Sequence, residues 1–129
     1  TFYNVSFVGT QALADELGKD GAGVVVSQVV PSPYTASRPI SREFAEAIRK
    51  GGGKVQANFS SMEGYLAARV FSDGLRNARG PSREALIAGL ESLGGRSYGG
   101  FDVMFDASDH AASHFVELSM LTGDGHVRT

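Results

Sequence analysis

Cysteine is absent from this 129-residue chain. Disulfides, cysteine-containing metal sites and thiol chemistry are therefore excluded, while the compartment stays open, since cytosolic and periplasmic proteins alike can lack cysteine. Long apolar runs are lacking too. None approaches the ~20 residues needed to span a bilayer. No block of like charge occurs: the net charge is −2, with basic and acidic residues interspersed. That pattern gives no foothold to nucleic acid or to an anionic membrane. No signal-peptide pattern opens the chain. What is present is ordinary for a soluble globular domain, with 42% hydrophobic and 20% charged residues. The length suits one domain. The 17 glycines fall largely where helices or strands should stop, so they read as turns and caps.

The order of elements follows from periodicity and punctuation. Residues 2–8 mix aromatic and β-branched side chains and read as a strand. Thr10 is placed to cap a short helix that Gly18 stops. Residues 23–30 (GVVVSQVV) are almost continuously apolar, as in strands buried on both faces. Pro31-Ser32-Pro33 ends that strand, and residues 34–40 form a connector. Ser41 is expected to cap a helix over 41–50, with Phe44, Ala47 and Ile48 inward. A short strand is expected within 54–59. The strongest helix covers 62–79, with Met62, Leu66 and Val70 on one line and Asp73 toward solvent. Pro81-Ser82 opens another, closed by Gly94-Gly95. Residues 100–106 and 115–121 then predict an antiparallel pair joined by a polar link. The order is βα-βα-(β)-αα-ββ. The doubly buried run at 23–30 lacks neighbours within the chain, which points to strands upstream or to a second copy.

Chemistry is harder to find. His110 and His114 are four apart near Asp106 and Asp109, but no third ligand stands at a metal-binding spacing. No G-x-S-x-G elbow is present, and no carboxylate pair suggests acid–base work. Neither residues 18–23 (GKDGAG) nor 51–53 (GGG) precedes a helix as a phosphate loop must. The turn Gly9-Thr10-Gln11 remains. It lies between a strand and a helix, where open α/β sheets gather ligands at free N–H groups.

The ordered set of segments resembles a known family. SFVGTQALADELG (6–18), GVVVSQVVPSPY (23–34), SREFAEAIRK (41–50), MEGYLAARVFSDGLRNA (62–78), SREALIAGLESL (82–93), GGFDVMFDASDHAASHFVEL (99–118) and DGHVR (124–128) are similar to the C-terminal half of type I periplasmic binding proteins of the leucine/isoleucine/valine-binding class. The resemblance implies an α/β fold with three layers, α/β/α, ending in an antiparallel strand pair. It implies that one chain of this length is incomplete. Residues 1–33 would be the latter part of a second lobe, 34–97 a crossing segment with helices on the first lobe, and 98–129 a strand pair and hinge return.

It further implies a periplasmic component of an ABC importer. Such a protein has no catalytic activity and no cofactor. It holds a small solute in an interlobe cleft and delivers it to a membrane permease. Carried over by position, the ligand-binding residues would be Thr10 and Gln11 after the first strand, and Phe59 and Ser60 before the long helix. The family often has an acidic residue near Gln11 to pair with an α-ammonium group. A neutral amide cannot make that charge-assisted bond, which disfavours an α-amino acid. A sensory or receptor domain of the same fold is the alternative. An intertwined homodimer is expected of the isolated chain, with weak solute binding because half the cleft is missing.

Overall fold

The computed structural model describes residues 1–129. The elements are β1 (Tyr3–Val5), α1 (Thr10–Leu17), β2 (Val25–Gln28), α2 (Pro39–Lys50), α3 (Phe59–Asn77), α4 (Arg83–Glu91), β3 (Gly95–Tyr98), β4 (Phe101–Met104), β5 (Glu117–Leu121) and β6 (Val127–Arg128). They form a four-stranded sheet in the order β1-β2-β5-β6 and a separate two-stranded sheet, β3-β4.

Local chemistry explains several boundaries. The first strand is shorter than expected because Ser6–Val8 winds into a 3-10 turn. Gly9 follows at φ 69°, a left-handed conformation that glycine adopts without steric cost. Gly9, not Thr10, is the N-cap of α1, and Thr10 turns its side chain inward. Helix α2 begins at Pro39, whose fixed φ suits a first helical position. Ser41 is inside that helix and does not cap it; its hydroxyl donates to the Ser32 carbonyl at 2.8 Å. The strand expected within 54–59 is not formed. Asn58 caps α3 there, accepting from the Ser61 N–H at 2.8 Å while Ser61 Oγ accepts from the Asn58 N–H at 2.9 Å. Ser82 caps α4 in the same way, accepting from the Ala85 N–H at 3.0 Å.

The antiparallel pair expected between 100–106 and 115–121 is not formed either. β4 pairs with β3, in the register Tyr98↔Phe101. Gly99 and Gly100, at φ 56° and 90°, make the tight turn between them, and two positive φ values are what a two-residue hairpin of matching twist requires. β5 pairs with β2, with Val26 opposite Ser119 and Gln28 opposite Glu117. β1 runs parallel to β2 on its other edge.

β2 is therefore paired on both sides, and strands are not what it lacks. Its side chains alternate. Val24, Val26 and Gln28 are buried, and Val25 and Ser27 are half-buried. One face packs on α1 through a small core of Ala14, Val24, Val26 and Leu121. The opposite face carries Tyr3 and Val5 of β1 and Leu118 and Met120 of β5, all exposed, on either side of the half-buried Val25 and Ser27 of β2. Val116, just before β5, is exposed as well.

A larger core of ten buried residues holds α2, α3 and the β3–β4 hairpin together. Met62, Leu66 and Val70 form the inward stripe of α3 and meet Ile40 and Phe44 of α2 and Tyr98, Phe101 and Val103 of the hairpin. Helix α4 lies closely on α3. A Cβ at Gly89 would collide with the Gly74 carbonyl oxygen and the Ala78 nitrogen. Asp73, expected toward solvent, is only 7% exposed. It accepts the Tyr98 hydroxyl at 2.9 Å and the Arg76 guanidinium at 2.7 Å, and Arg96 lies 3.3 Å away. These bonds, that of Tyr98 foremost, hold the Asp73 carboxyl below the usual range.

Candidate functional site

The chain crosses twice between the two cores, at 29–38 and at 105–116. The crossings touch each other. The Arg38 guanidinium lies 5.3 Å over the Phe115 ring, and Phe115 packs on Phe101 with ring centres 5.7 Å apart. Val127 packs against both cores. The first crossing begins stiffly, since Pro31, Ser32 and Pro33 are all buried and proline fixes the backbone.

The four residues expected to meet a ligand lie around this crossing, in different situations. Thr10 is buried, and its hydroxyl accepts from Gln28 Nε2 at 2.7 Å. Gln28 Nε2 also donates to Ser119 Oγ at 2.7 Å. The remaining Gln28 oxygen and Oε2 of its cross-strand partner Glu117 are buried without a donor. Thr10 thus belongs to a polar centre beneath α1. Gln11 is half-exposed. Its Nε2 donates to Asp15 Oδ1 at 2.9 Å and to the Gly125 carbonyl at 3.1 Å. Its Oε1 accepts the Tyr34 hydroxyl at 3.2 Å. Phe59 is buried, and Tyr34 meets it edge to face with ring centres 5.6 Å apart. Ser60 is exposed in the first turn of α3.

The structure therefore links Gln11 and Phe59 through Tyr34, a residue that sequence reasoning placed in a connector. Tyr34 is 38% exposed. Burial of the rest of the ring, and then the negative charge of Asp15, push its hydroxyl pKa up. The only available signal in the sequence was an aromatic residue directly after a Pro-Ser-Pro stop.

A groove of about 600 Å³ runs beside the second crossing. It is lined by Arg96 and Asp102 of the hairpin and by Asp106, His114 and Phe115 of the loop, among others. None of the four expected residues lines it. Asp106 is held below the ordinary carboxylate range, first by the Ser108 hydroxyl and then by the N–H groups of Ser108 and Asp109. His110 lies outside the groove and pairs with Glu91 of α4 at 3.0 Å. No group of three or more His, Asp or Glu side chains is arranged to hold a metal ion.

Two α/β cores are thus joined by two crossing segments. The sequence pattern of the family described as periplasmic binding protein matches residues 1–125. The chain belongs to that family. It is similar to a "possible leucine/isoleucine/valine-binding protein" from Rhodopirellula baltica SH 1, with 33% identity and a TM-score of 0.91 over 99% of this chain and 35% of that one. It is similar to a substrate-binding periplasmic protein from Ralstonia solanacearum, with 30% identity and a TM-score of 0.82 over 97% of this chain and 36% of that one. It is also similar to an extracellular ligand-binding receptor from Verminephrobacter eiseniae ef01-2, with 27% identity and a TM-score of 0.82 over 98% of this chain and 37% of that one. The chain thus spans about a third of the length of these relatives. No curated protein sequence matches it.

Proposed function

We propose that this chain is the C-terminal part of a periplasmic solute-binding component of an ABC importer. The whole protein would hold a small molecule in a cleft between two lobes, leave it unaltered and pass it to a membrane permease. The observation that carries this reading is the family match across nearly the entire chain, joined to two separate cores with crossings between them. On this reading Gln11 and Ser60, which reach the surface, border the cleft from opposite bodies, while Thr10 and Phe59 support them from within. The open face of the four-stranded sheet would be covered by the helices of the longer protein. In the isolated chain it would drive self-association, an intertwined homodimer included.

The solute classes in view are a branched-chain or related amino acid, an amide and an aromatic acid. Gln11 disfavours the first, because it is uncharged and its acceptor oxygen already takes the Tyr34 hydroxyl. Calorimetry on the full-length protein tests the reading, with L-leucine, acetamide and benzoate as probes and mass spectrometry of whatever solute co-purifies. Binding of at least one small solute, returned chemically unchanged, is the expected result. A turnover product, or the absence of both bound and co-purified solute, would refute it.

A second reading is a ligand-sensing receptor domain, favoured by the similarity to the extracellular ligand-binding receptor. An output domain or transmembrane helix fused to the same chain would decide for it.

A further inference from the structure

Gln11 is the meeting point of three segments. It belongs to α1, bonds forward to Asp15 one turn on, reaches the 123–125 turn through the Gly125 carbonyl, and holds the Tyr34 hydroxyl in the first crossing. Its two amide protons are both donated and its oxygen is engaged. A side chain so occupied has no proton to offer a solute. Its geometry serves Tyr34 instead.

Tyr34 in turn touches both bodies. Its hydroxyl is fixed on α1, which packs in the smaller core, while its ring meets Phe59, which is buried in the larger one. Its backbone N–H reaches Ser32 Oγ at 3.4 Å, and the Ser32 carbonyl accepts the buried Ser41 hydroxyl of α2. The segment between the two cores is therefore tied on one side to α1 and on the other to α2 and α3. No other side chain of this crossing bonds to α1.

We propose that Tyr34 is a strap across the first crossing, with Gln11 as its anchor, and that it sets the resting angle between the two bodies. The strap does not depend on which solute is carried. It biases the population of body arrangements that a solute meets, and such a bias changes apparent affinity without any contact to the solute.

Hydrogen exchange on the full-length protein without added solute tests this. Gln11→Met keeps size and removes the anchor. Tyr34→Phe keeps the ring contact with Phe59 and removes the hydroxyl. Each should speed exchange of the amides at 34–42 about five-fold, the effect of losing one ordinary hydrogen bond. The Ile40 N–H, bonded to the Gly99 carbonyl at 3.1 Å, is the protected reporter. The double variant should exchange no faster than Gln11→Met alone, because that variant has already lost the bond that Tyr34→Phe removes. Amides of α4 should be unaffected. Unchanged exchange at 34–42, multiplied effects in the double variant, or equal acceleration in α4 would each overturn the strap.

Discussion

The body around α3 and the body around β2 solve the same burial problem to different degrees. In the first, α2, α3 and the β3–β4 hairpin enclose ten buried residues, and a carboxylate at the edge is met by a phenol and two guanidinium groups. In the second, α1 covers one face of a four-stranded sheet, and four buried apolar residues form the whole core. The other face shows Tyr3, Val5, Leu118 and Met120 to solvent, with Leu118 at 61% and Phe7 nearby at 98%. A sheet open on an apolar face is normally one layer short. Stability in this chain is therefore lopsided, because apolar area removed from water is the main favourable term in folding.

Substitutions test that contrast. The largest effect is expected at Phe44, which is 1% exposed in the larger core. Phe44→Ala should cost about 4 kcal/mol, against about 2 kcal/mol for Val26→Ala in the smaller core, both read by urea denaturation. Equal costs would mean that the two bodies are equally closed. Next comes Gly89→Ala, expected to cost about 3 kcal/mol because the added methyl has no room between Gly74 and Ala78. A neutral result in thermal unfolding would show that α4 can slide on α3.

Asp73→Ala should cost about 2 kcal/mol, chiefly because it leaves the buried Tyr98 hydroxyl without its acceptor, while the exposed Arg76 and Arg96 turn to water. The pH dependence has a definite sign. The folded-state pKa of Asp73 is depressed, so its contribution is complete above the ordinary carboxylate pKa near ~3.9 and fades as pH falls through the lowered value. Acid titration of stability in the wild type and in Asp73→Ala should therefore converge at low pH. The smallest effect is expected at the open face. Leu118→Lys should change the stability of the isolated chain by no more than about 0.5 kcal/mol. In the full-length protein the same change should cost severalfold more, if the face is covered there by apolar helices.

Much of the local structure was legible. The stripe Met62, Leu66, Val70 announced the inward face of α3, and the stops at Gly18, Pro31 and residues 51–53 marked real boundaries, because these signals act through backbone conformation and helical period alone. The misreadings share one cause. Residues 95–98 (GRSY) carry little β pattern, so β3 went unseen, and with it the partner of β4 and the two side chains that draw Asp73 inward. Thr10 and Ser41 had the chemistry of caps but were claimed by neighbours distant in sequence, Gln28 and Ser32. At the candidate site, Gln11 and Phe59 could be named from the resemblance, but the link between them could not. Tyr34 is 23 residues from Gln11 and 25 from Phe59.

By itself, then, the sequence determined which segments become helices, where glycine and proline interrupt them, and to which family the ordered segments belong. Those properties are written in short-range sterics, periodicity and residue order. Tertiary structure alone decided which strands pair, which face of the sheet stays open, and that Gln11, Tyr34 and Phe59 meet. Strand pairing and side-chain encounters depend on the closure of long loops, and the free energy of closing them belongs to the whole chain rather than to any window of it.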